Sequence, residues 1–429
     1  MKYIGLVCSV CLLLKTQISV KAAGLKQEFT WSRLSYDIPG MSLPSEELVQ
    51  SSTIPPPDVT LNTLADDQDY QYKNNIPMGA NRWKDKLFIT VPRRRVGIPS
   101  TLNYVPINST LRHNVPLIPY PNLQTNTLKV TVSQERLISV YRVAVDPCDR
   151  LWMVDTGIIE TPGNKTKIGP QRIIIIDLNT DKFIKTYTFK DTDLKNSTVL
   201  AMVAVDVTTD TCENAFAYFP DFLGYGLVVY SLKDDDSWRF NHNFFNMEPE
   251  GGNFHIGGAS FQWKDGIFSG GLSHILDNGY RNYIFHAMAG THLYSVSTKV
   301  LRNKELATRV NHGNDFLIIG NKGAGWQSSA SDLHQPSGIL FFALVNQDGV
   351  GCWNIKLSFS PAYLAVIAKD PRNMVYPADL KIYQDDIILL TNKMPVYVYS
   401  KLNYDEVNFS VWMNNIYDAV NGTACDGRR

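Results

Sequence analysis

The feature that most constrains the fold is a strand–turn–strand pattern that recurs along the chain. Its clearest copy, AVDPCDRLWMVD (144–155), places the turn residues Asp, Pro and Asp between two apolar strands. The strand RIIIID (172–177), the turn NTDK and the strand FIKTYTF follow it. These segments alternate or form short apolar runs, which is typical of strands rather than helices. The unit is therefore predicted to be four consecutive antiparallel strands.

The same unit recurs in six copies. Each copy has a polar residue at one recurring position: Asn81, Asp146, Asp206, Ser260, Asp332 and Asp379. In the last copy, PADLKIYQDDIILLTNK is followed by PVYVYSKL and NFSVWM, which are predicted to be its outer strands. Spacings of roughly 45–75 residues fit long propeller blades with insertions, although spacing alone would also fit a solenoid or two sandwiches. Four meandering strands per unit favour an all-β, six-bladed β-propeller.

The N-terminus has the pattern of a secretory signal peptide. Lys2 precedes an apolar run that ends at Leu14, and the small residues Ala22 and Ala23 follow. We expect a signal peptide at 1–22, a polar, proline-bearing arm at 23–72 that donates a strand to close the ring, and the propeller at 73–429. No other run is apolar enough to span a bilayer. The expected location is extracellular.

Charge and motifs exclude several classes of protein. Lys and Arg together number 41, as do Asp and Glu, so the formal net charge is zero and no basic footprint for nucleic acid is expected. The eight histidines show no metal-ligand spacing, and no phosphate-binding or dinucleotide fingerprint is present. We therefore predict no metal and no cofactor. The oligomeric state is not predicted.

Four cysteines remain after the predicted signal peptide, and they allow three pairings. Cys148 and Cys212 occupy equivalent turns of consecutive units, while Cys425 lies near the C-terminus, where it could hold the tail to Cys352. We predict the disulfides Cys148–Cys212 and Cys352–Cys425. Each would close a loop of about 60–75 residues, for which the chain-entropy estimate is roughly 4 kcal/mol. A metal site is the rival interpretation, but no Cys-x-x-Cys accompanies these residues.

Five Asn-x-Ser/Thr sequons predict glycosylated, exposed loops in a secreted chain. They are Asn108, Asn164, Asn196, Asn408 and Asn421.

The recurring acidic residues are candidates for a site on the propeller axis. Carboxylates gathered around one axis repel unless they pair, take up protons or hold a cation. Asp in such turns also caps backbone amides, and this structural role is favoured for Asp146 and Asp206. For Asp379 the two interpretations are balanced. His334, near Asp332, is the histidine best placed for chemistry, although a hydrogen-bonded turn histidine is the simpler interpretation.

Several longer motifs resemble the insect yellow/major royal jelly protein family. They include LFITVPRRRVGIPSTLNYV, SVYRVAVDPCDRLWMVDTG, GGASFQWKDGIFS, GVGCWN and YPADL, in this order and over nearly all of the chain after the signal peptide. The resemblance implies a six-bladed propeller with two disulfides. VPRRR, IPYPNLQTNTL, FFNMEP and NKMPVYVYSKL look most like the yellow-f branch, which implies dopachrome conversion in melanin synthesis.

The resemblance also implies a ligand site at one mouth of the channel. Salivary members grip amines there with a threonine, an asparagine and an aromatic residue. Asn392 matches the asparagine, whereas Ala378 stands in place of the threonine and Met394 in place of the aromatic ring. The pocket is expected to be kept, and the Met394 sulfur could contact a flat ring.

Two functions from different classes follow. The first is an isomerase that converts L-dopachrome, which needs a general base near an acidic C–H and donors for the quinone oxygens. Asp379 or His334 would be the base, Asn392 a donor, and Arg93, if it faces the mouth, would hold the substrate carboxylate. The second is a non-catalytic extracellular protein that binds small aromatic ligands such as biogenic amines, or a structural protein of cuticle and pigmentation.

Overall fold

The computed structural model describes residues 24–41, 70–128, 135–161 and 164–427. The predicted signal peptide (1–22) and most of the predicted arm (42–69) lie outside these residues. No helix in the described ranges is long and apolar enough to cross a membrane.

Six four-stranded antiparallel sheets form the described fold, which confirms the six-bladed β-propeller. The first three blades, in order from the innermost strand, are β2 (Gly79–Trp83), β3 (Lys86–Thr90), β4 (Leu102–Pro106) and β5 (Ile118–Pro119); β6 (Val140–Val145), β7 (Arg150–Asp155), β10 (Arg172–Asp177) and β11 (Lys182–Thr188); and β12 (Ala204–Asp206), β13 (Phe216–Asp221), β14 (Gly226–Ser231) and β15 (Asp236–Phe240).

The last three blades follow the same order. They are β18 (Ile267–Leu272), β19 (Asn282–Ala287), β20 (His292–Ser297) and β21 (Phe316–Asn321); β22 (Ser328–His334), β23 (Ile339–Leu344), β24 (Gly349–Asn354) and β25 (Leu364–Lys369); and β26 (Pro377–Tyr383), β27 (Asp386–Thr391), β28 (Phe409–Asn415) and β1 (Lys26–Trp31).

The first strand of the chain closes the ring. β1 pairs antiparallel with β28, so the N-terminal segment supplies the outermost strand of the sixth blade. A blade shared between the two ends of the chain holds the propeller shut. Phe29 and Trp31 of β1 are at most 1% exposed, which ties this strand into the core. The propeller therefore begins earlier than the predicted boundary at residue 73.

The inner strands β2, β6, β12, β18, β22 and β26 lie side by side around the axis and all run in one direction. The channel accordingly has two different ends. We call the end where inner strands begin, near Gly79, Val140, Ile267, Ser328 and Pro377, the upper mouth. The end where they finish, near Trp83, Val145, Leu272, His334 and Tyr383, is the lower mouth.

In the described ranges, two hairpins and five short α-helices lie outside the blade sheets. The hairpins are β8 (Ile158–Thr161) with β9 (Asn164–Lys167), and β16 (Asn253–Ile256) with β17 (Ala259–Gln262). The helices are α1 (Leu123–Asn126), α2 (Thr298–Leu301), α3 (Lys304–Ala307), α4 (Met394–Tyr399) and α5 (Ile416–Val420).

Two local predictions are wrong. Ser260 lies in the outer hairpin β17, and the inner strand of the fourth blade is β18, because the buried apolar run IFSGGL fills the axial position and the exposed ASFQ does not. PVYVYSKL was predicted to be a strand, but α4 begins at Met394. Pro395 lacks the N–H that a strand interior needs and suits the first turn of a helix.

Both predicted disulfides are confirmed. Cys148 and Cys212 have Cα atoms 5.9 Å apart and join neighbouring turns of the second and third blades. Cys352 and Cys425 have Cα atoms 6.1 Å apart and attach the C-terminal segment to the fifth blade.

Removing the first bridge tests its contribution to stability. The double variant Cys148→Ser/Cys212→Ser should lower the free energy of unfolding by about 2–5 kcal/mol, because the unfolded chain regains the freedom of the closed loop. Urea unfolding of the parent and the variant measures this difference. An unchanged unfolding midpoint would show that the blades are held together without the bridge.

Candidate functional site

The middle of the channel is occupied by a buried ion-pair network. The Asp379 carboxylate lies 3.6 Å from Arg142 Nε and 3.7 Å from Lys381 Nζ, and it accepts the Ala80 N–H at 3.2 Å. Arg142 also donates to the carbonyls of Met78 and Ala378. Asp379 is 1% exposed, and its carboxylate contacts groups of the first and second blades. The geometry favours a structural role over that of a catalytic base.

The other recurring carboxylates avoid repulsion in the same way. Asp146 accepts the N–H groups of Cys148 and Arg150 and pairs with the Arg150 guanidinium at 2.7 Å. Asp206 pairs with Arg281 at 3.0 Å and Arg302 at 2.7 Å. The Asp206–Arg281 pair links the third and fourth blades. Asp332 is the exception, because it accepts the N–H groups of Leu333 and Ile382 instead.

His334 lies at the lower mouth. Its Nδ1 is 2.8 Å from Ser337 Oγ and its Nε2 is 3.1 Å from Asp385 Oδ1. Burial lowers the pKa of His334, and the Asp385 carboxylate partly opposes the shift. A cavity of about 330 Å³ adjoins this histidine and Lys381. Both ring nitrogens of His334 have partners, as expected for a hydrogen-bonded turn histidine.

Asn392 lies at the upper mouth, on the far side of the channel from His334. Its backbone N–H donates to the Tyr376 carbonyl just before β26. At the same mouth, Ser329 at the start of β22 donates to the Pro377 carbonyl. The length of β22, seven residues ending at His334, corresponds to roughly 20 Å. Asn392 and His334 therefore cannot act on one small substrate.

The Asn392 amide organises the loop at the upper mouth. Its Nδ2 donates to the Pro77 carbonyl at 2.7 Å, and its Oδ1 accepts the Met394 N–H at 3.1 Å. Asn392 is fully buried, so it positions Met394 rather than presenting a donor to a ligand. Met394 packs with the buried Tyr376 and Ala378 in one apolar cluster.

The arginine that faces this mouth is Arg94, not the predicted Arg93. Arg93 is 2% exposed, and its guanidinium donates to backbone carbonyls that include those of Ile98, Leu137 and Pro99. The adjacent Arg94 begins a bend, in which its backbone N–H donates to the Pro92 carbonyl at 2.8 Å. Arg94 Nε lies 3.6 Å from Glu160 Oε2, and its Nη1 lies 3.8 Å from Met394 Sδ.

Glu160 is itself anchored. Tyr141 donates its hydroxyl hydrogen to Glu160 Oε1 at 2.6 Å. Proximity to Tyr141, Glu160 and Tyr397 raises the pKa of Arg94 against the desolvation that would lower it. Arg94 is therefore a fixed cation at the upper mouth.

Asp265, which the sequence patterns did not single out, precedes β18 at the upper mouth, where the Arg94 charge acts on it. Burial raises the pKa of Asp265 to about 6, and Arg94 partly opposes the shift. No hydrogen bond or ion pair to its carboxylate comes from the residues that the structure describes. Its backbone is held because its carbonyl accepts the Ala289 N–H at 2.9 Å. A partly buried, unpaired carboxylate with this pKa is suited to accept a proton near neutral pH.

Aromatic rings form the walls around these two charges. The Phe268 and Phe222 ring centroids are 4.8 Å apart, and Trp263 meets the edge of Tyr376 at 6.0 Å. A cavity of about 590 Å³ is lined by Trp263, Asp265, Met247 and Leu223, among other residues. The upper mouth thus has an aromatic surface, the Asp265 carboxylate and the Arg94 cation; the cavity itself is lined by Asp265 and Lys264 and not by Arg94.

Comparisons with known proteins show the family of this chain. The profile of the family described as major royal jelly protein matches residues 138–425. The chain belongs to this family. The resemblance inferred from the motifs, including its yellow-f character, is confirmed.

Among curated members of the major royal jelly protein family, L-dopachrome tautomerase yellow-f of Drosophila melanogaster is 40% identical over 355 residues, 82% of each chain. Protein yellow of Drosophila yakuba is 34% identical over 424 residues, covering 98% of this chain and 74% of that one. Among solved structures, PQQ-bound aldose sugar dehydrogenase from Streptomyces coelicolor aligns with a TM-score of 0.41 at 11% identity, over 79% of this chain and 95% of that one.

The described ranges contain no group of three or more His, Cys, Asp or Glu side chains arranged to hold a metal ion. Of the sequons, Asn108, Asn196 and Asn421 are exposed, and the Asn164 side chain lies outside the described part. The prediction of an exposed loop is wrong at Asn408, which is 3% exposed and donates its amide to the carbonyls of Ser32 and Asn403.

Proposed function

We propose that the protein is an extracellular L-dopachrome tautomerase whose general base is Asp265. The supporting observation is that an unpartnered, raised-pKa carboxylate and the Arg94 cation lie at the same aromatic mouth. The 40% identity with a relative named L-dopachrome tautomerase supports the same reaction. Two disulfides and the N-terminal pattern support an oxidising, extracellular location.

The reaction balances with these two groups alone. Asp265 removes the proton from the acidic carbon of the cyclic quinone, the electron pair moves through the ring, and a quinone oxygen takes up a proton. This step breaks one C–H bond and forms one O–H bond, and a second shift of the same kind gives the dihydroxyindole, so no oxidant is needed. The substrate carboxylate lies beside the acidic carbon, and binding it to Arg94 brings that carbon toward Asp265. Met394 and the Phe268 and Trp263 rings would hold the flat ring.

The rate should depend on pH through Asp265. Its ionised form is the base, so turnover should be constant above pH 7 and fall as the pH drops through about 6. A base with an ordinary aspartate pKa would keep its rate down to about pH 4. Initial rates from pH 4.5 to 8, corrected for spontaneous conversion at each pH, measure the midpoint. A midpoint near 4 would exclude Asp265.

Binding without turnover is the alternative, and one observation favours it. An unpaired carboxylate beside aromatic rings would also pair with the ammonium group of an aromatic amine. The deciding experiment compares purified protein with a heat-inactivated control during L-dopachrome decay. A clear excess rate supports the tautomerase. Saturable binding of indole amines with no excess rate would support the binding protein.

The loop built by Asn392 gives a separate prediction. Asn392→Ala removes the acceptor for the Met394 N–H and leaves the buried Pro77 carbonyl unpaired, which should cost about 1–3 kcal/mol of stability. Met394→Ala should weaken binding of flat aromatic ligands with a smaller loss of stability. Calorimetry and urea unfolding of both variants separate the two roles. Unchanged ligand affinity in Met394→Ala would place the ligand elsewhere.

A further inference from the structure

A second cavity lies outside the channel, beside the third and fourth blades. It has a volume of about 460 Å³ and is lined by residues after β15 and before β21, together with Lys195 and Tyr225 of the third blade. Its lining is polar and largely uncharged, with four asparagine side chains, two histidines and one tyrosine: Asn241, Asn243, Asn246, Asn311, His242, His312 and Tyr225. None of these residues belongs to the upper mouth described above.

The buried His312 in this cavity lacks hydrogen-bond partners for its ring nitrogens. It is 7% exposed, and neither ring nitrogen hydrogen bonds to any residue in the described ranges. The nearest carboxylate oxygen, on Asp315, is 3.8 Å from Nδ1, beyond hydrogen-bond length. The ring is held in place by Phe240 and Phe316, at centroid distances of 5.7 and 5.3 Å. A buried polar ring without partners is costly unless a ligand or water completes it.

The unmatched groups are a mixture of donors and acceptors. Asn241 Oδ1, Asn311 Oδ1 and His242 Nδ1 already accept hydrogen bonds. Within the described residues, the groups that remain are the ring nitrogens of His312, the NH₂ groups of Asn241 and Asn311, and the carboxamides of Asn243 and Asn246. The one lysine of the lining, Lys195, already donates to the Gly224 carbonyl at 2.8 Å. A simple anion would satisfy only donors, whereas a hydroxyl group both donates and accepts. The His242 and Tyr225 rings add flat surfaces for an apolar ring face.

We infer that this cavity is a saccharide-binding site that holds one pyranose ring through its hydroxyl groups. Two sources could supply that ring. One is a free or surface-bound carbohydrate. The other is the chain's own glycan, because Asn196, an exposed sequon residue, directly follows Lys195 of the lining. The inference does not depend on the tautomerase activity.

The test uses the full mature chain and four variants. Asn196→Gln removes the sequon, His312→Phe removes both ring nitrogens but keeps an aromatic ring, and the two are combined. His274→Phe, at an exposed histidine elsewhere, is the matched control in the Asn196→Gln background. The methyl glycosides of glucose, mannose and N-acetylglucosamine are titrated by calorimetry, and thermal midpoints are recorded for all proteins.

The site predicts that Asn196→Gln binds at least one glycoside. Adding His312→Phe should weaken that affinity at least about tenfold, because partners are lost, while raising the thermal midpoint of the ligand-free protein. Adding His274→Phe should leave the affinity unchanged. Binding to parent and Asn196→Gln alike indicates a free saccharide as the natural ligand.

A different pattern identifies the chain's own glycan. The glycosylated parent should then melt above Asn196→Gln, and the difference should vanish when His312→Phe is present. The inference would be overturned if no glycoside bound and the thermal midpoints of the parent and Asn196→Gln were equal. It would also be overturned if no glycoside bound and their difference did not depend on His312. Unchanged affinity in the His312→Phe combination would also overturn it.

Discussion

Asp265→Asn should lower the enzymatic rate of L-dopachrome conversion by about 10²–10⁴-fold, because a carboxamide cannot accept the substrate proton. The change is nearly isosteric, so binding of a non-reactive aromatic carboxylate should persist through Arg94. Asp332→Asn is the matched control, because burial also raises the pKa of Asp332, which lies near the lower mouth. Its rate should stay close to that of the parent. Equal rates in parent and Asp265→Asn would remove Asp265 from the mechanism.

Asp265→Asn should raise the stability of the protein, although it lowers the rate. The pKa of Asp265 is raised from 3.8 to about 6, so the folded state disfavours its charge. The resulting loss of stability is fully present above pH 6, declines between pH 6 and 4, and is absent below pH 4. Asp265→Asn should therefore be more stable than the parent at pH 7.5, by up to ~3 kcal/mol, and equal to it near pH 4. Lower stability at pH 7.5 would contradict the assigned environment.

Arg142→Met should destabilise the propeller by about 3–5 kcal/mol, because it leaves the buried Asp379 charge short of a partner. Arg142 lies 3.6 Å from Asp379 and also donates to carbonyls of the first and sixth blades. The double variant Arg142→Met/Asp379→Leu should recover much of the loss, since an apolar pair replaces the ion pair. Urea unfolding of both variants gives the comparison.

This experiment also separates the two interpretations of Asp379. A structural role predicts that the refolded double variant converts L-dopachrome at nearly the parental rate. If the double variant were stable but inactive, Asp379 would belong to the catalytic machinery.

The blades could be predicted from sequence because their information is local. Period-two alternation and turn residues define β6, β7, β10 and β11 within one or two residues. The Cys148–Cys212 pair followed from equivalent positions in successive blades, and the Cys352–Cys425 pair from the place of Cys425 near the C-terminus. The hairpin β16–β17 was mistaken for an axial strand because its short alternating pattern is the same one that inner strands carry.

The candidate site was harder to predict because it depends on contacts between distant blades. The sequence does not distinguish the adjacent residues Arg93 and Arg94. Only the structure shows that the Arg93 guanidinium donates to backbone carbonyls. Asp265 follows Trp263 in what looks like an ordinary turn, WKDG. Its raised pKa arises from burial among residues far away in the chain. A repeated acidic position marked Asp379, which the fold uses for ion pairing.

The central claim is that Asp265 at the upper mouth removes a carbon-bound proton. The most direct test compares L-dopachrome carrying hydrogen or deuterium at the acidic carbon, at pH 7.5, with spontaneous conversion subtracted. If Asp265 removes this proton, the parent shows an excess rate with a normal primary isotope effect, and Asp265→Asn shows only the spontaneous rate. An excess rate in the parent that is insensitive to deuterium, or one that Asp265→Asn retains in full, would contradict it.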